Sequence, residues 1–291
     1  MTIVPILSAS SAIADYRIGF RWWALIVAVV FVISELICVL KVPEKPIETT
    51  APTSSVGQMF RTLFANDQAM TVVVSIILVY TSLNICGNLV LYFFQFDVGN
   101  EGAYSIFAAV AFAAQVLVMM IVPALRKKFT KAQLFVFGFL IQIAGFLVIL
   151  AMAFGGVYTP ENWYILCIPG IMIYLGYGML NVIMTIFLSD SVDYGEVKNH
   201  TREESVIFSM QTFTVKLASG LAVFLAGIVV DLIHLETDAA VQSASTLMQL
   251  RMWMTIPSVL LLIVGIIVFK KCYKLDDAKM DEIKKTLEER K

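Results

Sequence analysis

Seven apolar stretches, each long enough to cross a lipid bilayer, decide most of what this 291-residue chain can become. A hydrocarbon core of ~30 Å needs about 20 mostly apolar residues per helix. The runs 20–40, 70–94, 103–125, 134–154, 163–188, 206–230 and 252–269 meet that length. Lipid offers no water to satisfy backbone N–H and C=O groups, so each run is expected to be a helix. Composition agrees: 59% of residues are hydrophobic and 15% charged, against roughly 25% charged in soluble domains. The expected fold class is therefore an all-α integral membrane protein. The net charge of -1 indicates neither a nucleic acid nor an acidic partner, because the charges are segregated into connecting segments. Cys38, Cys86, Cys167 and Cys272 lie within or at the ends of apolar runs with no paired spacing, which argues against a disulfide framework or a metal knuckle.

At the start of the chain, Ala12-Ile13-Ala14 mimics a signal-peptide cleavage site. No Lys or Arg precedes the short apolar stretch, which Pro5 interrupts, so cleavage is not expected. Residues 2–11 read instead as the trailing half of a helix. Orientation follows from the distribution of Lys and Arg. Seventeen of them fall in one set of connections and the C-terminal tail, and the opposite side holds only Arg17, Arg21 and Arg251. The rich set, with the C-terminus, is expected in the cytoplasm.

Between Lys41 and Asn66 the chain turns polar, and Pro43, Pro46 and Pro52 mark a linker. Val56, Met59, Phe60, Leu63 and Phe64 then recur at helical spacing, with Gln58, Arg61 and Thr62 on the other face. This predicts a short amphipathic helix lying along the membrane surface. Asn66 and Asp67 are placed to cap the next spanning helix. The tail from Lys274 onward alternates acids and bases and is expected to be a solvated helix.

Lys216 lies about ten residues from either end of its apolar run. At ~1.5 Å rise per residue it starts on the order of 15 Å from either interface, too deep to escape by snorkelling. Charges at such depth face a polar pathway or a partner. Ser205, Ser209, Thr212, Lys216 and Ser219 share one helical face. The serines fit a cavity lining or a small-residue packing face equally well, but packing does not require the charge. The preceding run carries a matching stripe, Tyr174, Tyr177, Asn181 and Thr185, so two neighbouring helices are expected to wall a wet cavity. Pro169, Gly170, Gly176 and Gly178 in that run permit either bending or close packing. The connection between the two runs is acidic, with Asp190, Asp193 and Glu196 followed by Lys198 and Arg202. Acids at that helix end need opposing cations; Arg202 is one candidate, and partners from a part of the protein outside this chain are another. As a calcium loop the spacing is wrong. The only histidines, His200 and His234, fall on opposite sides, and no phosphate loop or nucleophile elbow is present, so no enzyme is expected.

Two long motifs make a resemblance recognisable. Asp190 to Glu196 reads D-S-V-D-Y-G-E, and Ser205 to Ser219 reads S-V-I-F-S-M-Q-T-F-T-V-K-L-A-S. Together with Asn66-Asp67-Gln68, Leu91-Tyr92-Phe93 before Gly99, and Gln242-Ser243-Ala244, they resemble the glycoside-pentoside-hexuronide:cation symporters, the melibiose permease family of the major facilitator superfamily. The resemblance implies a helical bundle of two six-helix halves with substrate between them near the midplane. It places residues 1–40 at the end of the N-terminal half, 41–69 as a cytoplasmic linker, 70–272 as the C-terminal six-helix half and 273–291 as a cytoplasmic tail. The chain begins in what resembles helix five. Helices one to four, which hold the family's acidic cation-site residues and most of its sugar-binding groups, would be partners outside it.

By the same resemblance Lys216 matches the family's helix-eleven lysine facing the cation and sugar sites, and Gln211, Thr212 and Val215 match its cavity-side neighbours. Asn181 stands where melibiose permease has a sugar-contacting tryptophan, a departure from α-galactoside recognition, and Tyr177 lies one turn away. Asp190, Asp193, Glu196 and Arg202 match charges that help close the cytoplasmic gate. The implied function is symport of a glycoside, pentoside or hexuronide with Na⁺ or H⁺ across a bacterial inner membrane. No cofactor beyond the coupling cation is expected. A truncated product that transports nothing is the competing expectation, and a membrane-embedded enzyme the remote one.

Overall fold

The computed structural model describes residues 16–41, 56–199, 204–236, 239 and 241–290. They fall into two compact units, Met1–Thr53 and Ser54–Lys291. Within the first, α1 (Tyr16–Lys41) is one apolar helix whose side chains are exposed from Arg21 onward. The second unit contains α2 (Val56–Ala65), α3 (Asp67–Tyr92), α4 (Glu101–Leu125), α5 (Lys131–Gly155), α6 (Cys167–Asn199), α7 (Glu204–Leu232), α8 (Ala244–Cys272) and α9 (Asp277–Glu289). Among the described residues seven helices, α1 and α3 to α8, are long and apolar enough to cross a membrane, as the hydropathy pattern predicts.

Local signals set the helix ends. Asn66 caps α3 by accepting from the Ala69 amide at 3.0 Å, and Ser243 caps α8 through the Thr246 amide. Thr130 and Gln133 form a reciprocal capping box at the start of α5, which satisfies two otherwise orphan donors. That helix stops at Gly156, whose φ of 59° is the left-handed conformation glycine adopts without strain. Past Tyr92, α3 loosens into a π-helical segment, Phe93–Asp97.

Packing centres on α3, which lies against α7, α8 and, over a shorter stretch, α6; α6 also packs closely on α4 and α5. The amphipathic α2 forms as expected and packs against α3 and α7. Its Leu63 is buried while Arg61 and Phe64 are exposed. Glycine brings α5 and α6 together: a Cβ at Gly176 would lie 2.5 Å from the Gly138 carbonyl oxygen, and one at Gly145 would lie 3.0 Å from that of Pro169. Gly178 is equally tight against α4, 2.9 Å from the Gln115 carbonyl oxygen. Of the two roles open to these glycines, close backbone approach is the one realised.

Four expectations change. The acidic segment after Leu188 is not a loop, because α6 continues to Asn199; Lys131 opposes its buried Asp190. Arg251 is not in a connection but in the second turn of α8, where Asp97 neutralises it. The tail is not fully solvated: Leu275, Met280 and Ile283 are buried against Tyr194 and Val197 of α6 and against Tyr273. Lastly, the helices bearing the two polar stripes touch little, because α3 lies against both.

Candidate transport site

Three helices bring polar side chains to one level about midway along the bundle. From α6, the Asn181 amide donates to the Tyr80 hydroxyl of α3 at 2.5 Å. The Tyr80 ring meets Tyr177 edge-on, with centroids 5.4 Å apart, and Tyr177 meets Tyr174 at 6.5 Å. From α7, the Ser219 hydroxyl donates to Asn84 of α3 at 3.3 Å. Asn84 and Asn88 each donate to the carbonyl four residues back, Tyr80 and Asn84 respectively, both at 2.7 Å. Tyr80, Asn84 and Asn88 are thus the missing centre of the site, joining the α6 stripe to the α7 stripe. Their spacing of four was a readable signal in the sequence, hidden inside a run otherwise taken only as a span.

The predicted residues divide. Tyr177 and Asn181 meet Tyr80 directly. On α7, Thr214 and Ala218 are buried, while Gln211 and Val215 are half-buried and Thr212 and Lys216 exposed on the flank. Thr212 bonds back to the Phe208 carbonyl, and Ser209 to that of Val206. Among the described residues Lys216 has no hydrogen bond or ion pair. The structure therefore joins Asn181 and Tyr177 through α3 to the helix of Lys216, but does not bring Lys216 itself into contact with them.

A charged cluster occupies the end of the bundle where most Lys and Arg gather. Asp190, 7% exposed, accepts from Lys131 Nζ at 2.5 Å. Lys131 also reaches Asp277 of the tail at 3.4 Å, and Arg126 meets the same carboxylate at 3.4 Å. Beside them Asp67 accepts from Lys198 at 2.6 Å and from the Tyr194 hydroxyl at 3.0 Å. The Asn66 amide donates to the Ser191 carbonyl at 2.8 Å. Gly195 leaves room for it, since a Cβ there would come within 2.8 Å of that amide. Asp193 and Glu196 are half-buried and engaged, and Arg202 lies outside the described residues. Lys131 of the same unit thus opposes Asp190 of the D-S-V-D-Y-G-E segment, while Lys198, just past it, pairs with Asp67 of α3. Burial and the neighbouring Asp190 and Asp277 carboxylates push the Tyr273 phenol well above its ordinary range.

At the other end, the Asp97 side chain is 1% exposed and accepts from Arg251 through both oxygens, at 2.9 and 2.6 Å. Tyr158 donates to the same carboxylate. Burial first, and then Asp97, drive the Tyr158 phenol up. This clasp ties the π-helical end of α3 to α8 and to the connection between α5 and α6.

The second unit is thus a bundle of apolar helices with a shared polar level and a charge cluster at each end. The family described as MFS/sugar transport protein matches residues 1–277, and the chain belongs to that family. Similar proteins include an uncharacterized symporter of Bacillus subtilis, 27% identical over 87% of this chain and 54% of that protein. A raffinose carrier protein of Pediococcus pentosaceus is 25% identical over 81% of this chain and 36% of its own length. A putative sulfoquinovose importer of Salmonella typhimurium is 27% identical over 92% and 56%. The chain therefore spans about half the length, or less, of these relatives. Family and relatives are transporters rather than enzymes, and the chain is a multi-pass membrane protein of the melibiose permease-like sugar-transporter group.

Proposed function

We propose that this chain forms the C-terminal part of a sugar:cation symporter working by alternating access, with its basic end and C-terminus in the cytoplasm of a bacterial cell. The observation that carries the reading is the polar level where Tyr80, Asn84, Tyr177, Asn181 and Ser219 meet across α3, α6 and α7, one turn from the unpaired Lys216. Hydroxyl and amide groups paired with aromatic faces suit a polyhydroxylated ligand, since sugars present both hydroxyl edges and apolar ring faces. Gln211, Thr212 and Val215 flank that level. The carboxylates that hold Na⁺ or H⁺ come, on this reading, from an N-terminal half of the kind the family resemblance implies. Lys216 then responds electrostatically to occupancy of that cation site, and Asp190, Asp193, Glu196 and Arg202 belong to the inner gate.

The test is sugar uptake driven by an imposed Na⁺ or H⁺ gradient in a protein carrying this half together with an N-terminal half. Lys216→Ala is expected to abolish gradient-driven accumulation while leaving the protein in the membrane. Accumulation equal to that of the unaltered protein would refute the role given to Lys216. Asn181→Ala is expected to weaken sugar binding and leave cation dependence intact.

A further inference from the structure

Away from the transport level, a cleft of about 610 Å³ opens where the start of α5 meets the end of α8 and the beginning of the tail. Its composition is that of an amphiphile's site. Val136, Phe137 and Phe269 form an apolar wall, and Phe137, 41% exposed, carries that wall out to the lipid-facing side of α5. The polar rim holds Lys131, Lys270 and Lys274 together with Asp276 and Asp277.

The charges on this rim do not cancel. Asp277 already accepts from Lys131 and Arg126, and Asp276 caps α9 by accepting from the Lys279 amide at 2.8 Å. Lys131 is held by Asp190. Lys270 and Lys274 are exposed and have no ion pair among the described residues. Asp277 is thus neutralised, Asp276 keeps its charge, and Lys270 and Lys274 leave the rim with an excess of cations. Tyr273 also lines the cleft. The cleft lies at the helix ends, the depth of lipid headgroups, where basic pockets between spanning helices take anionic lipids.

We propose that this cleft binds one anionic glycerophospholipid, its phosphate held by Lys270 and Lys274 and its acyl chain laid along Val136 and Phe137. The apolar wall favours a lipid over a free anion. The bound headgroup would brace the α5–α8–α9 junction that also carries the Lys131–Asp190–Asp277 network, so lipid composition would act on the charged end of the bundle.

Native mass spectrometry of the purified full chain in detergent, titrated with phosphatidylglycerol or phosphatidylcholine, tests this. At about 1 kcal/mol for each lysine near the surface, Lys270→Gln with Lys274→Gln should weaken phosphatidylglycerol binding about 30-fold and leave phosphatidylcholine unaffected. Lys127→Gln with Lys128→Gln removes the same charge from the same end outside the cleft and should change binding by less than about 3-fold if the site is specific. Equal losses in the two lysine pairs would reduce the site to diffuse attraction and overturn the proposal. So would equal affinity of the unaltered chain for the two lipids, or displacement of phosphatidylglycerol by millimolar inorganic phosphate.

Discussion

Asp190 sits on a buried face of α6, where an unpaired carboxylate would cost several kcal/mol. Lys131 removes that cost, and the two are 59 positions apart in sequence. The acid stood out in the sequence as a group in need of a cation, but its partner did not, because a lysine at the start of a span reads as an orientation signal. Only packing of α5 on α6 turns it into a counter-charge. Lys198 was hidden in the same way, and Asp67, read as a helix-start residue, is also its partner. Breaking a buried pair is costlier than removing it whole. Asp190→Ala or Lys131→Met should therefore lower stability by about 3–5 kcal/mol in detergent unfolding, whereas Lys131→Met combined with Asp190→Leu should recover most of the loss. Asp277 is buffered against this change, since Arg126 remains to pair with it. A double variant no more stable than the worse single one would show that the pair contributes more than mutual neutralisation.

Among the helices, α6 shows how far periodicity reaches and where it stops. Its polar stripe and its glycines were legible from spacing, but spacing could not say whether Gly176 serves a bend or a contact, nor that α3 rather than α7 faces the stripe. Those outcomes depend on which helices become neighbours. The contact reading makes a sharp comparison possible. A Cβ at Gly176 meets backbone, the Gly138 carbonyl oxygen at 2.5 Å and the Gln142 amide nitrogen at 2.7 Å, whereas one at Gly87 of α3 meets nothing within 4 Å. Overpacking of this kind costs about 1–3 kcal/mol or more, and replacing an unencumbered helical glycine gains about 0.5–1 kcal/mol. Gly176→Ala should accordingly lower the unfolding midpoint and Gly87→Ala should hold or raise it. Equal effects at the two positions would deny that the α5–α6 approach is set by glycine. Gln142, 0% exposed with neither amide atom bonded in the described residues, lies against the same contact.

For the molecule as a whole, the distribution of charge was the most legible feature, because it depends on local composition rather than on long-range packing. Hydropathy located the spans, and the structure moved chiefly their ends: α6 runs further and α8 starts earlier wherever a distant partner neutralises a charge within the helix. The structure also gathers the Arg126–Lys131 connection, Lys198 and Lys270–Lys274 around one end of the second unit, and the Asp97–Arg251 clasp stands at the other. Because excess Lys and Arg are retained on the cytoplasmic side, we propose that the basic end faces inward, and α9 with it. Cys272 offers a direct measurement: it is a free, exposed thiol in the last turn of α8, beside Lys271. In a variant with Cys38, Cys86 and Cys167 replaced by serine, a membrane-impermeant maleimide should label Cys272 in inverted membrane vesicles and fail to label it in sealed right-side-out vesicles. Removing the other three thiols leaves a single reporter, so labelling depends only on the side of the membrane that Cys272 faces. The opposite pattern would invert the bundle, placing the Lys131–Asp190–Asp277 network outside the cell and the Asp97–Arg251 clasp within it.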